Sequence, residues 1–98
     1  MLLKIHQSYR DVVALVDSAL LGKTFEEGKR QLAIKEHFFK GEEVSHDAVI
    51  RVLRLQMGED ATFNIIGEES IACAIEAGVI SEDSVIHVAG IPFALKLV

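Results

Sequence analysis

The sequence predicts an α+β fold: one mixed β-sheet of about five strands with two helices mainly on one face, in the order strand-strand-strand-helix-strand-helix-strand. Three observations predict it. Short apolar runs of strand length, some alternating with polar residues, are spread along the chain. Two longer stretches have helical periodicity and close on Gly58 and Gly78. The chain has 98 residues, 50% of them hydrophobic, which is enough for one core and too little for a second. Residues 1–98 therefore read as a single small globular domain.

Leu2 to Gln7 alternates, with Leu3 and Ile5 on one face and Lys4 and His6 on the other, which is a strand pattern. Ser8 to Asp11 is a turn, and the β-branched run Val12 to Val16 is a second strand completing a hairpin. "SALLGKTFEEG" follows as a loop or short helical turn. Arg30 to Lys35 alternates through Leu32 and Ile34 as a third strand, and the chain turns at Gly41. Ser45 is a suitable N-cap for a helix from about His46 to Met57, stopped by Gly58. Its apolar residues cover more of the wheel than one sheet face needs, so it is central or meets a second chain. Ala61 to Ile66 is a fourth strand, and Glu68 to Ala77 is a helix stopped by Gly78. Ser81 to Ser84 is a turn and Val85 to Val88 a fifth strand. "AGIP" breaks it, and Phe93 to Val98 continues it or pairs again. There is no repeat, linker or low-complexity segment.

Charge narrows the function classes. Ten Lys and Arg against 15 Asp and Glu give a net −5, which disfavours nucleic acid and anionic membrane surfaces. No run of about 18 apolar residues could span a bilayer, and "MLLKIHQSYRD" does not read as a signal peptide. Cys73 is the sole cysteine, so no internal disulfide forms, and a cytoplasmic, reducing setting fits.

Each candidate for chemistry has a plainer explanation. "LGKT" (Leu21 to Thr24) looks like the tail of a phosphate-binding loop, but Asp17 stands where the first Gly is required. Thr24 with Glu27 reads instead as a capping box. His6, His37, His46 and His87 have no metal-ligand spacing among themselves or with Cys73, so no metal or cofactor is expected. Cys73 falls beside Glu69 and Glu76 on the helical wheel, opposite Ile71 and Ile75. Acidic neighbours oppose thiolate formation, so no catalytic role is assigned and a lightly exposed or interface Cys is expected. The pairs Glu26–Glu27, Glu42–Glu43 and Glu68–Glu69 read as solvated surface charge.

Two stretches stand out. In "AGIPFA" (Ala89 to Ala94), Pro92 is the only proline; Gly90 and Pro92 make either a bulge or a rigid loop presenting Phe93 to a partner. In "NIIGEES" (Asn64 to Ser70), a strand runs through Gly67 into an acidic helix start. Helix N-termini attract anions, but Glu68 and Glu69 already place negative charge there and would repel a phosphate. Gly67 then serves as a strand-to-helix turn, which leaves Asn64 to tie the turn down or to face a partner.

The segments "LLGKTFEEGK", "FFKGEEV", "NIIGEESIACAIEAGVI" and "VIHVAGIPFA" give the chain a resemblance to the archaeal family known as domain of unknown function 424, over most of its length. The matching positions are Asn64, Gly67, Glu68, Gly90 and Pro92. Family-like sequences often carry His after the Pro; Phe93 stands there in this chain, so a role needing that imidazole does not carry over. The resemblance implies a small archaeal cytoplasmic protein and brings no assigned substrate or catalytic residues.

The leading expectation is a non-enzymatic binding or protein-interaction module, linked to information processing, with a protein partner or a homo-oligomer. One alternative is a small-ligand protein or enzyme whose site combines Asn64, Gly67 and Glu68 with Gly90 and Pro92. Another is a purely structural homodimer subunit.

Overall fold

The computed structural model describes residues 1–97, and the end of the expected last strand, Val98, lies outside them. The main sheet has six strands: β1 (Leu2–His6), β2 (Val12–Val16), β5 (Glu42–Glu43), β6 (Thr62–Ile66), β7 (Ile86–Val88) and β8 (Ile91–Lys96). Their order is β5-β1-β2-β6-β8-β7. It is mixed as expected: β1 and β2 form an antiparallel hairpin, β2 and β6 are parallel, and β8 is antiparallel to β6 and β7. β2 lies in the middle. Val13, Ala14, Leu15 and Val16 have no exposed surface, which is why this strand reads as an unbroken apolar run.

Both sheet faces are covered. Two helices, α2 (His46–Gly58) and α3 (Glu68–Ala77), lie on one face over Leu3, Val13, Leu15, Phe63 and Ile65. On the other face a separate antiparallel hairpin, β3 (Thr24–Glu27) with β4 (Arg30–Ala33), and a one-turn helix α1 (Glu36–Phe39) pack on Ala14, Val16, Ile66 and Val88. Both larger helices share one face, as expected, but the third expected strand is not in the main sheet. Leu32 and Ile34 turn down onto the sheet as a lid, where alternation alone shows only that one face is buried.

Local differences follow from chemistry outside the sequence window. Thr24 opens a strand rather than capping a helix, after a 3-10 turn at Ser18–Leu20. α1 forms where a turn was expected because Lys4 Nζ and His6 Nε2–H donate to its carbonyls at His37 (3.0 Å) and Phe38 (2.9 Å), partners 32 or more residues away. His6 also stacks on Phe38. α2 starts at Ser45 as expected, its hydroxyl accepting from Ala48 N–H, but runs through Gly58 and turns at Asp60 (φ 58°). Its wide apolar arc divides: Val49, Ile50 and Leu53 are buried, while Leu55 stays 66% exposed.

The strand-to-helix turn after β6 is closed by a residue from elsewhere. Asp17, just past β2, accepts hydrogen bonds from Glu69 N–H (3.1 Å), Ser70 N–H (2.8 Å) and Ser70 Oγ–H (2.7 Å). The anion at this helix N-terminus is therefore the protein's own carboxylate, and Glu68 and Glu69, expected to fill that role, point to solvent. Gly67 is required twice over. Its φ of 110° and ψ of 154° belong to glycine alone, and a Cβ there would overlap the Asp17 carboxylate.

Candidate functional site

Asn64 interrupts the apolar run of β6, between Phe63 and Ile65, which face the helices. Its side chain, like that of Ile66, therefore turns toward the hairpin face. There the lid is incomplete. A groove of about 360 Å³ lies between the end of β4, α1 and the sheet. Its floor is Asn64 and Ile66 on β6 with Phe93 and Leu95 on β8; its walls are Leu32, Ala33, Phe38 and Phe39; Lys35 and His37 complete the lining. Asn64 is half-buried, and its carboxamide enters none of the side-chain hydrogen bonds made among the described residues. An amide in an apolar groove without a protein partner leaves two donors and an acceptor for something else.

The groove brings Asn64 and Phe93 together. Gly67 sits at the sheet's end, with its N–H donating to Pro92 O (2.8 Å). Glu68 and buried Pro92 line a different cavity of about 360 Å³ on the helix side, with Ile71, Ile75, Val85 and His87. Gly90 (φ 80°) and Ala89 (φ 51°) form the two-residue turn of the β7–β8 hairpin, both in the left-handed region, as a type I′ turn demands. Glu27 Oε1 accepts from Ala89 N–H (2.6 Å), fixing that turn to the lid. The six residues thus fall in four places: groove floor, helix-side cavity, helix start and hairpin turn.

The expectation for Cys73 is corrected. It is fully buried between α2 and α3, with Sγ 3.2 Å from His46 Nδ1. His46 Nε2–H donates to Glu76 Oε1 (3.1 Å), which leaves Nδ1 to accept the thiol proton. A Cys–His–carboxylate series has the form of an activated nucleophile. Its electrostatics run the other way: burial pushes the Cys73 thiol above its ordinary value, and Glu69, Glu76 and Asp17 push it further. With no exposed sulfur surface, the series is a polar tie between helices. His46 and Cys73 are 27 residues apart on different helices, so neither spacing nor wheel could pair them. Among the described residues, no group of three or more His, Cys, Asp or Glu converges to hold a metal, and no helix is long and apolar enough to cross a membrane.

Fold and groove together define a small α+β protein whose mixed sheet is covered on both faces, with a half-open apolar groove on one. The chain belongs to the family described as "Protein of unknown function (DUF424)", whose model matches residues 5–97. It is similar to a solved structure described as an uncharacterized conserved protein from Methanopyrus kandleri. The two share 31% identity and superpose with a TM-score of 0.83, over 96% of this chain and 87% of that one. No curated protein matches the sequence.

Proposed function

We propose that this protein is a non-enzymatic binding module that holds a segment of a partner protein in the groove over Asn64. The observation that carries the reading is the Asn64 carboxamide, set among Leu32, Phe38, Phe39, Ile66 and Phe93 with no side-chain hydrogen bond among the described residues. Asn in the middle of a strand weakens it unless its amide is used. Among the described residues, the groove's lining sets no carboxylate, Ser, Thr or Cys beside Lys35 or His37, which favours holding over turnover. Exposed Leu95 (55%) on β8 and Leu97 (67%) just past its end extend the apolar surface beyond the groove's mouth.

A photo-crosslinking amino acid placed at Leu95 tests this in the native host. A specific protein adduct from Leu95, absent when the same group stands at Asp47 on the far helix layer, is expected. Equal adducts from both positions, or none from Leu95, would contradict the reading.

A further inference from the structure

We infer that the partner segment is an extended strand that adds to the open edge of β8 and carries a carboxylate on its groove-facing side. This rests on the binding-module reading above and names what the groove would take.

The edge comes first. Pro92 O accepts from Gly67 N–H, so even-numbered residues of β8 turn their backbone groups toward β6 and odd-numbered ones toward β7. Pairing with β7 ends at Ile86 opposite Phe93. The N–H and C=O of Leu95 therefore face past the end of β7. A cleft of about 530 Å³ opens there, between residues 78–81 and 84 on one side and 95–97 on the other. An unpaired edge with exposed Leu95 and Leu97 is a template for strand addition. Leu95 lines both this cleft and the groove, so a strand lying in the cleft turns every second side chain to the groove's face of the sheet, next to Leu95.

Charge selects the occupant. In a chain of net −5, the groove lining contains Lys35 and, among the described residues, no carboxylate. Glu36, beside it in sequence, lies against Gly22 instead. Residues 46–84, which carry both large helices, hold eight of the 15 acidic residues and two of the 10 basic ones, while residues 18–41, which carry the lid, hold three and five, so the groove side is the less acidic face. On the helix side, Glu82 and Asp83 are exposed between the cleft-lining Ser81 and Ser84, so the carboxylate belongs on the groove-facing parity. Lys35, in the groove's lining, supplies the opposite charge.

A displayed library of random nine-residue peptides, selected on the whole protein, is the test. Enriched peptides should alternate apolar residues with polar ones and carry Asp or Glu on one parity. Lys35→Glu should weaken them about tenfold and, reselected, enrich Lys or Arg at the same place. N-methylation of alternate peptide bonds should abolish binding on one parity only. Enrichment of neutral peptides indifferent to Lys35→Glu overturns the charge assignment while leaving the groove as a peptide site. Indifference to N-methylation overturns strand addition. Enrichment no better than on Leu95→Glu overturns the binding reading as well. Displacement of every peptide by decanoate at lower concentration would make the groove a small-molecule site. A dimer by light scattering that Leu95→Glu dissolves would make the occupant a second copy.

Discussion

Replacing Asp17 by Ala should cost about 3 kcal/mol, because one side chain closes three hydrogen bonds at the start of α3. Losing an N-cap acceptor costs about 1 kcal/mol. Ser70 has no exposed surface, so its N–H and hydroxyl are stranded together, which adds about 1–3 kcal/mol. In a domain of this size each kcal/mol moves Tm by about 4–8 °C, so a fall of about 12–24 °C is expected. Asp17→Asn keeps one acceptor oxygen and should lose roughly half as much. Urea unfolding followed by circular dichroism gives the free energies, and an unchanged m-value shows that the same surface is being exposed. Ser70→Ala combined with Asp17→Ala should lose less than the sum of the two single changes, since both remove the Ser70 Oγ–Asp17 bond. A loss below about 0.5 kcal/mol for Asp17→Ala, where the reasoning requires about 3, would refute the claim that this carboxylate holds the turn.

Further predictions concern other parts of the chain. Gly67→Ala should destabilise more than Asp17→Ala, because it forces both φ and the carboxylate aside; equal or higher stability by urea unfolding would contradict the turn geometry. Ala89→Asn should stabilise by about 0.5–1 kcal/mol, since Asn accepts the left-handed region and favours this turn; thermal unfolding checks it. Cys73 should resist thiol reagents in native protein and react on unfolding. Its thiol is raised in the folded state, so its contribution is fully present below the ordinary value of 9.0 and disappears as pH rises through the folded one; pH-dependent unfolding of wild type against Cys73→Ala should converge at alkaline pH. Glu43 moves oppositely. Ser18 and the N-terminal ammonium lower it below its ordinary 4.5, so its contribution is present above that value and lost as pH falls through the folded one, a dependence Glu43→Gln should remove.

How much of this was legible in the sequence depends on the range of the interaction. β1, β2, β6 and both large helices are readable because periodicity and caps are local. Arg30 to Lys35 is expected in the main sheet because alternation through Leu32 and Ile34 reports a buried face and not which sheet the strand joins, and its partner β3 is missed because that segment reads as a loop or short helical turn. α1 reads as a turn in sequence because the contacts that hold its carbonyls, from Lys4 and His6 on β1, are distant in the chain. Asn64 was visible as the odd residue in an apolar strand, and Phe93 as the residue a rigid turn presents. Their shared groove follows from the β6–β8 register and the position of the lid, which no local pattern encodes. Asp17 appeared in the sequence only as the residue that spoils a phosphate loop; in the fold it occupies the helix start that an anion would otherwise take.

The central claim is that Asn64 is kept for a partner and not for the fold. The most direct test measures two properties of Asn64→Leu side by side: unfolding free energy, and affinity for peptides selected on the wild-type groove. Leu fills an apolar, half-buried place where the amide has no bond to lose, so stability should stay level or rise by about 1 kcal/mol while peptide affinity falls about tenfold or more. A variant that loses about 2 kcal/mol of stability yet binds the same peptides unchanged would show that Asn64 serves the fold, and would contradict the account.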